Sequence, residues 1–251
     1  MIIMKKIYFT LIALLASINM FAQGWPANYS GVMLQGFSWD SYDYSQWTVL
    51  EKQADDMKGF IDLVWLPQSG KCIETTQVMG YKPYYYFNQN SSFGTEAELR
   101  SLIAKFKANG IGAIADVVVN HRNTNGWYTF PAETYKGVTY QMLPTDICKN
   151  DDGGSTAIQA KKDGVSLSNN YDEGTDFGGC RDIDHKSENV QKIIKAYLKF
   201  LKEDIGYTGF RYDMVKGFSG SHVADYNDAT GVEYSVGEYW DGNEKIESWI
   251  N

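Results

Sequence analysis

Side chains for metal and redox chemistry are scarce in this sequence. Its 251 residues hold three His (His121, His185, His222) and three Cys (Cys72, Cys148, Cys180). They form no CxxC pair and no Cys/His zinc spacing. HExxH, GxGxxG and GxxxxGK are absent, so zinc proteolysis and nucleotide chemistry have no motif, and nothing suggests haem. Basic residues are outnumbered, 23 Lys+Arg against 31 Asp+Glu, giving a net charge of −8. Without a basic block the chain is a poor partner for nucleic acid or an anionic membrane. There are only five Pro, and the 43% hydrophobic and 22% charged content excludes a collagen-like or disordered chain.

The longest apolar run, Ile7 to Phe21, follows Lys5 and Lys6. It is shorter than the roughly 20 residues of a membrane span, so no stable membrane insertion is expected. With a cut after Ala22, residues 1–22 read as a secretory signal peptide, although Met20 is larger than usual near such a cut. No Cys lies near the cut, which argues against a lipid anchor. Residues 1–22 carry two Lys and no acid, so the exported chain would have charge 21 − 31 = −10. The expected location is secreted or periplasmic in a bacterium, where disulfides are possible. Three cysteines allow at most one internal bridge, and the sequence does not choose the pair.

What is abundant is aromatic: 7 Trp, 18 Tyr and 12 Phe. Such rings pack cores and also stack on sugars. Beyond the signal, strand-like and helix-like segments alternate. Strand candidates are Gly31–Phe37, Ile61–Leu66, Ile114–Val119, Gly209–Asp213 and Glu233–Glu238. Helical spacing runs over 45–60, from the capping box Thr95/Glu98 to Gly110, and from Ser187 to Gly206. Strict alternation predicts a parallel sheet. The stretch 122–181 breaks the rhythm, is rich in Gly, Asn, Asp, Thr and Tyr, and is too long for an ordinary loop. The expected division is signal 1–22, barrel 23–121, inserted subdomain 122–181 and barrel again 182–251.

Polar residues cluster at the ends of the later strands: Asn120 and His121, then Arg211 and Asp213, then Glu238. In a β/α barrel such ends meet at one mouth, where active sites lie. Arg211 and Asp213 are two apart and point to one side of their strand. The guanidinium is expected to lower the Asp213 pKa and keep it ionised for attack on a sugar carbon. Apolar neighbours and a nearby like charge are expected to keep Glu238 protonated, as a general acid needs. Two carboxyls with opposed protonation are the equipment of glycoside hydrolysis.

DVVVNH (116–121), GFRYDMVKG (209–217) and GEYW (237–240) resemble three of the four hallmark blocks of the α-amylase family of glycoside hydrolases. DIDH (182–185) resembles a further block. QGFSWD (35–40), VWLPQ (64–68) and GYKP (80–83) resemble plant-type and bacterial members. The resemblance implies a (β/α)8 TIM barrel, here truncated after about the fifth strand, with an inserted subdomain after the third. It implies retaining hydrolysis of α-1,4-glucosidic bonds in starch, glycogen or related α-glucans. Asp213 would be the nucleophile, Glu238 the general acid/base, and Arg211 the residue orienting Asp213. Tyr81, as a stacking platform, and His121 would hold the sugar, with Lys216 on the leaving-group side. The two carboxyls would lie about 5–5.5 Å apart, or modestly more without substrate.

The same resemblance implies a structural Ca2+ in the acid-dense stretch 172–185, whose oxygens suit a hard cation. Its ligands would be Asn120, Asp172, Asp182 and the backbone oxygens of Thr175 and Gly217. Arg181 stands where plant relatives tend to have Pro, and its charge beside Asp182 is expected to weaken the site. The family's third acid, an Asp after Asn-His beyond the seventh strand, has no match: His222 precedes Val223 and His185 precedes Lys186. The chain is therefore expected to be the N-terminal part of a hydrolase that is monomeric at full length, with little starch hydrolysis alone. Two other readings stand beside it: a non-catalytic remnant or weak glucan binder, and a sibling transglycosylase or pullulan-type hydrolase.

Overall fold

The computed structural model describes residues 24–250; the expected signal, 1–22, lies outside them. Five parallel strands form one sheet in the order β1 (Met33–Gln35), β2 (Leu63–Leu66), β3 (Gly112–Val117), β8 (Gly209–Tyr212) and β9 (Tyr234–Gly237). Helices α1 (Trp47–Met57), α2 (Glu96–Ala108), α4 (Glu188–Lys199) and α5 (Gly220–Thr230) are the crossovers, and α6 (Asn243–Ile250) follows β9. This is the curled, five-stranded part of a β/α barrel, as the alternation predicts. Among the described residues β1 and β9 each have one unpaired edge. Val32, Met33 and Leu34 are accordingly exposed.

The helices form where the sequence supplies both cap and stripe. At α2, the Thr95 hydroxyl accepts from Glu98 N–H at 3.3 Å and Glu98 accepts from Thr95 N–H at 2.7 Å. Two orphan donors are thus satisfied before the buried stripe Leu99, Leu102, Ile103 and Phe106 begins. Ser187 caps α4, which buries Val190, Ile193, Ile194, Tyr197 and Leu198. The chain then widens into a π-helical turn, Phe200–Ile205, that keeps Phe200, Leu201 and Ile205 inside. Gly206, at φ +103°, ends it in a conformation that favours glycine. Among the described residues no helix is long and apolar enough to cross a membrane.

Between β3 and α4 the chain leaves the barrel. Short strands β4 (His121–Arg122) and β7 (Arg181–Asp182) pair antiparallel and clasp the two ends of this excursion together. Between them lie the hairpin β5 (Glu133–Tyr135) and β6 (Val138–Tyr140) and the nine-residue helix α3 (Ser155–Asp163). That helix is not signalled by periodicity, because it buries only Thr156 and Ala160. The three cysteines are buried and free, and burial raises all three thiol pKa values.

One buried ion pair pins the hairpin to the barrel. Arg122, 1% exposed, reaches Glu133 at 2.7 Å and covers the Tyr86 ring. Glu133 also accepts the N–H groups of Tyr86 and Phe87. Glu133→Ala strands Arg122 without its counter-charge and is expected to cost about 3–5 kcal/mol. The urea unfolding midpoint reads this; an unchanged midpoint would show that the pair does not anchor the hairpin.

Candidate active site

Strand pairing brings the acids together. Asp116 of β3 is in register with Arg211 of β8, and Arg211 with Val236 of β9. Asp213 and Glu238 stand one pleat beyond that row, just past the C-terminal ends of β8 and β9. Arg211 Nη1 lies 2.9 Å from Asp116 Oδ1 and 2.7 Å from Asp213 Oδ1, and Nη2 lies 2.8 Å from Glu238 Oε1. Two such contacts and the width of one guanidinium fork keep the Asp213 and Glu238 oxygens within roughly 8 Å.

Two electrostatic expectations change here. Asp213 is not held low: its pKa is pushed up to about 7, by burial first and then by the Asp116 charge, against the pull of Arg211. Asp116 is likewise pushed up to about 6, mainly by burial. One guanidinium shared by three carboxylates neutralises too little for each. Glu238 is not in apolar surroundings either. It is half-buried, and besides Arg211 it accepts the Met214 N–H at 3.0 Å. Its flanking aromatics point elsewhere: Tyr239 packs on Trp249, and Trp240 is 60% exposed under the Lys216 ammonium.

Tyr81 donates its hydroxyl to Asp116 Oδ2 at 3.0 Å, and its ring lies parallel to the exposed Trp39 ring, centroids 5.7 Å apart. His121 is fixed by the Tyr81 carbonyl at 2.9 Å and by stacking on Phe177, and burial lowers its pKa to about 4. Its imidazole is therefore neutral. Asp116, Trp39 and Phe177 are functional candidates that sequence reasoning did not single out, although DVVVNH and QGFSWD contain the first two. Trp65 is another: its indole donates to Asp116 and its face lies under Arg211.

A second acidic cluster sits beside the clasp. Asp182 is pushed up to about 10 by burial and by Asp176 and Asp172. Asp172 Oδ2 is buried without a partner. Carboxylate oxygens of Asp151, Asp176 and Asp182 all lie within 4.8 Å of one another. Asn120 donates to Asp182 Oδ1, and its own Oδ1 lies so near Gly217 that a Cβ there would come within 1.9 Å. Thr175 N–H donates to the Lys216 carbonyl, laying the 172–176 loop along the turn Val215–Gly217. The five residues expected as ligands thus share one neighbourhood. An oxygen-rich donor set with an orphaned carboxylate oxygen fits a hard cation. Asp151 and Asp176 join from positions the sequence did not mark. Arg181 covers Trp127 and pairs with Asp151 at 2.6 Å, so its charge sits on a carboxylate of this cluster.

The pKa directions fix a pH dependence. Asp116 and Asp213 bind protons more tightly when folded than the roughly 3.9 of a free Asp. Their contribution to stability is complete below about pH 4 and is lost as pH rises through about 6 to 7. Asp213→Asn fixes the neutral form. Its melting temperature is expected to exceed that of the parent at pH 8, with the gain shrinking at pH 5. A gain independent of pH would contradict the account.

Comparisons with known proteins agree with this fold. The model for the α-amylase catalytic domain matches residues 61–250. Alpha-amylase 3, chloroplastic, of Arabidopsis thaliana is 32% identical over 243 residues, covering 88% of this chain and 25% of its own length. A glucan 1,4-alpha-maltotetraohydrolase from Roseateles saccharophilus is 25% identical, over 87% of this chain and 39% of its own. The maltohexaose complex of an α-amylase I variant from Eisenia fetida superposes with a TM-score of 0.61 at 17% identity, covering 87% of this chain and 47% of its own. The chain thus spans a quarter to about half the length of these relatives. With the barrel, the strand-end acids and the matched catalytic-domain model in agreement, the chain belongs to the α-amylase family of glycoside hydrolases.

Proposed function

We propose that this site performs retaining hydrolysis of α-1,4-glucosidic bonds in starch, glycogen or related α-glucans. The observation carrying the reading is that Asp213 and Glu238, at adjacent strand ends, share the Arg211 guanidinium. Asp213 Oδ attacks the anomeric carbon as Glu238 delivers its proton to the leaving oxygen. The glycosyl–Asp213 ester is then cleaved by water that Glu238 deprotonates. Arg211 orients Asp213, Tyr81 and Trp39 offer a flat stacking surface, and neutral His121, its one N–H given to the Tyr81 carbonyl, holds Tyr81 against the sugar. Lys216, parked over Trp240, faces the leaving-group side. The names of relatives that act on or bind malto-oligosaccharides support the substrate class. Export to a periplasm or medium belongs to the same reading, as does a monomeric state.

α-Maltosyl fluoride tests the nucleophile, because fluoride leaves without needing the acid. In Glu238→Gln, where no base clears the ester, mass spectrometry is expected to find a maltosyl adduct on the peptide carrying Asp213, absent when Asp213→Asn is added. An adduct elsewhere, or none, would overturn the assignment. One observation favours a second reading, a glucan-binding chain with weak hydrolysis: Glu238 accepts from Arg211 and Met214, where a general acid must donate. Glucan retention without any adduct would support that reading.

A Ca2+ held by Asn120, Asp172, Asp182 and the backbone oxygens of Thr175 and Gly217 would add to the acidic cluster the positive charge that Arg181, paired with Asp151, does not bring to Asp172 and Asp182. It would thereby lock the insert's return strand to the barrel. Calcium at a hundredfold over its Kd is expected to add about 2.7 kcal/mol of stability. Melting curves in calcium and in chelator read it, and Asp182→Asn should abolish the difference. Identical curves for the parent would exclude the ion.

A further inference from the structure

The sequence holds two Asn-Gly pairs, Asn109–Gly110 and Asn125–Gly126. In such a pair the main-chain nitrogen of glycine, unshielded by a side chain, can attack the asparagine Cγ. The fold treats the two pairs differently. Asn109 is half-buried at the end of α2, and its Nδ2 donates to the Ala54 carbonyl and to Asp55 Oδ1, both at 2.9 Å. The Gly110 N–H donates to the Lys107 carbonyl at 3.1 Å. Leaving group and attacking nitrogen are thus both engaged. Asn125 and Gly126 instead lie exposed on the turn after β4, and a Cβ at Gly126 would meet nothing within 4 Å. Among the described residues, neither the Asn125 side chain nor the Gly126 N–H makes a hydrogen bond. The turn is pinned around them: the Asn125 N–H donates to the Thr129 carbonyl and the Thr124 hydroxyl to the Gly126 carbonyl, each at 2.8 Å. Swinging the Gly126 nitrogen onto Cγ gives up the Thr124 bond alone, against three bonds at Asn109–Gly110.

We propose that Asn125 is a self-modification site, converting to aspartate and isoaspartate with water as the only co-reactant. The Gly126 nitrogen gives its proton to solvent base and forms a bond to Cγ. The Cγ–Nδ2 bond breaks, and Nδ2 leaves as ammonia after taking a proton from water. Water then opens the resulting cyclic imide at either carbonyl. One opening restores the main chain through Cα as aspartate; the other routes it through Cβ as isoaspartate. Both products carry a new carboxylate, and the second adds an atom to the main chain. Trp127, two residues on, feels this lengthening. Its ring covers the Arg181 guanidinium, 5.2 Å from the centroid, and Arg181 pairs with Asp151 of the acidic cluster. Isoaspartate at 125 therefore shifts the ring off Arg181 and weakens the tie between this turn and that cluster.

The test holds the full chain at mildly alkaline pH and maps its peptides by mass spectrometry at intervals. The peptide carrying 125–126 is expected to gain the mass of an NH2-to-OH exchange and to split into two species. The peptide carrying 109–110 should change at least about tenfold more slowly, the worth of two further hydrogen bonds. Asn125→Gln, whose longer side chain closes a larger ring more slowly, should abolish the gain at that turn. No gain at 125–126, equal gains at both pairs, or a gain that survives in Asn125→Gln would overturn the site. Asn125→Asp supplies the charge without the extra main-chain atom. The isoaspartyl form of the chain is expected to melt below both the parent and Asn125→Asp. A melting temperature equal to that of Asn125→Asp would overturn the effect on Trp127.

Discussion

One guanidinium holds the mouth of this sheet together. Arg211 bonds Asp116 on its own row and Asp213 and Glu238 on the row above, so β3, β8 and β9 meet through a single side chain. Its plane is fixed from below by the Trp65 ring. Tyr81 joins the same network through Asp116, and His121 joins through the Tyr81 carbonyl. Residues from five segments thus depend on one fork of donors. A lysine could not replace it, because a point charge cannot present donors to three carboxylates in fixed directions.

The excursion between β3 and α4 is tied to that network at its root. His121 opens β4 and pairs with Asp182 of β7, so the residue bonded to the Tyr81 carbonyl and the residue facing the acidic cluster are partners across one short ladder. Phe177, within the acid-dense loop, stacks on His121 and donates its N–H to Asp182. A displacement of the acidic loop would therefore move the imidazole directly. Arg122, next to His121, secures the hairpin of the excursion through Glu133.

Much of this was readable where the cause is local. The Thr95/Glu98 box, the α2 and α4 stripes and the glycine stop at Gly206 are short-range features, and they stand where the spacing put them. β3 begins at Gly112 rather than Ile114, because its start is set by pairing with Leu63 of β2, a partner 49 positions away. The protonation of Asp213 was misread for the same reason. The sequence shows Arg211 two residues away but conceals Asp116, 97 residues earlier, and the depth of burial. Glu238 was misread through its neighbours: Tyr239 and Trp240 adjoin it in sequence but face other partners. Asp151 and Asp176 enter the acidic cluster only through the folding of the loop.

The two acidic clusters meet the same physical problem to different degrees. Burying carboxylates is costly unless a counter-charge or hydrogen bonds replace the water they lose. At the strand ends an internal cation, Arg211, lies among three acids and leaves a deficit that raises Asp116 and Asp213 rather than forcing them apart. At the clasp, Arg181 pairs with Asp151 alone, at the edge of the cluster, and Asp172, Asp176 and Asp182 are left facing one another. Backbone N–H groups supply part of the compensation there, from Phe177 to Asp182 and from Asp152 and Gly153 to Asp176. The Asp172 oxygen receives none. A chain that sets one arginine at the centre of the first cluster and another only at the edge of the second leaves the second more dependent on protons or on a cation from solution. The folding of the excursion, and through His121 the shape of the mouth, is thereby made sensitive to what the surrounding medium contains.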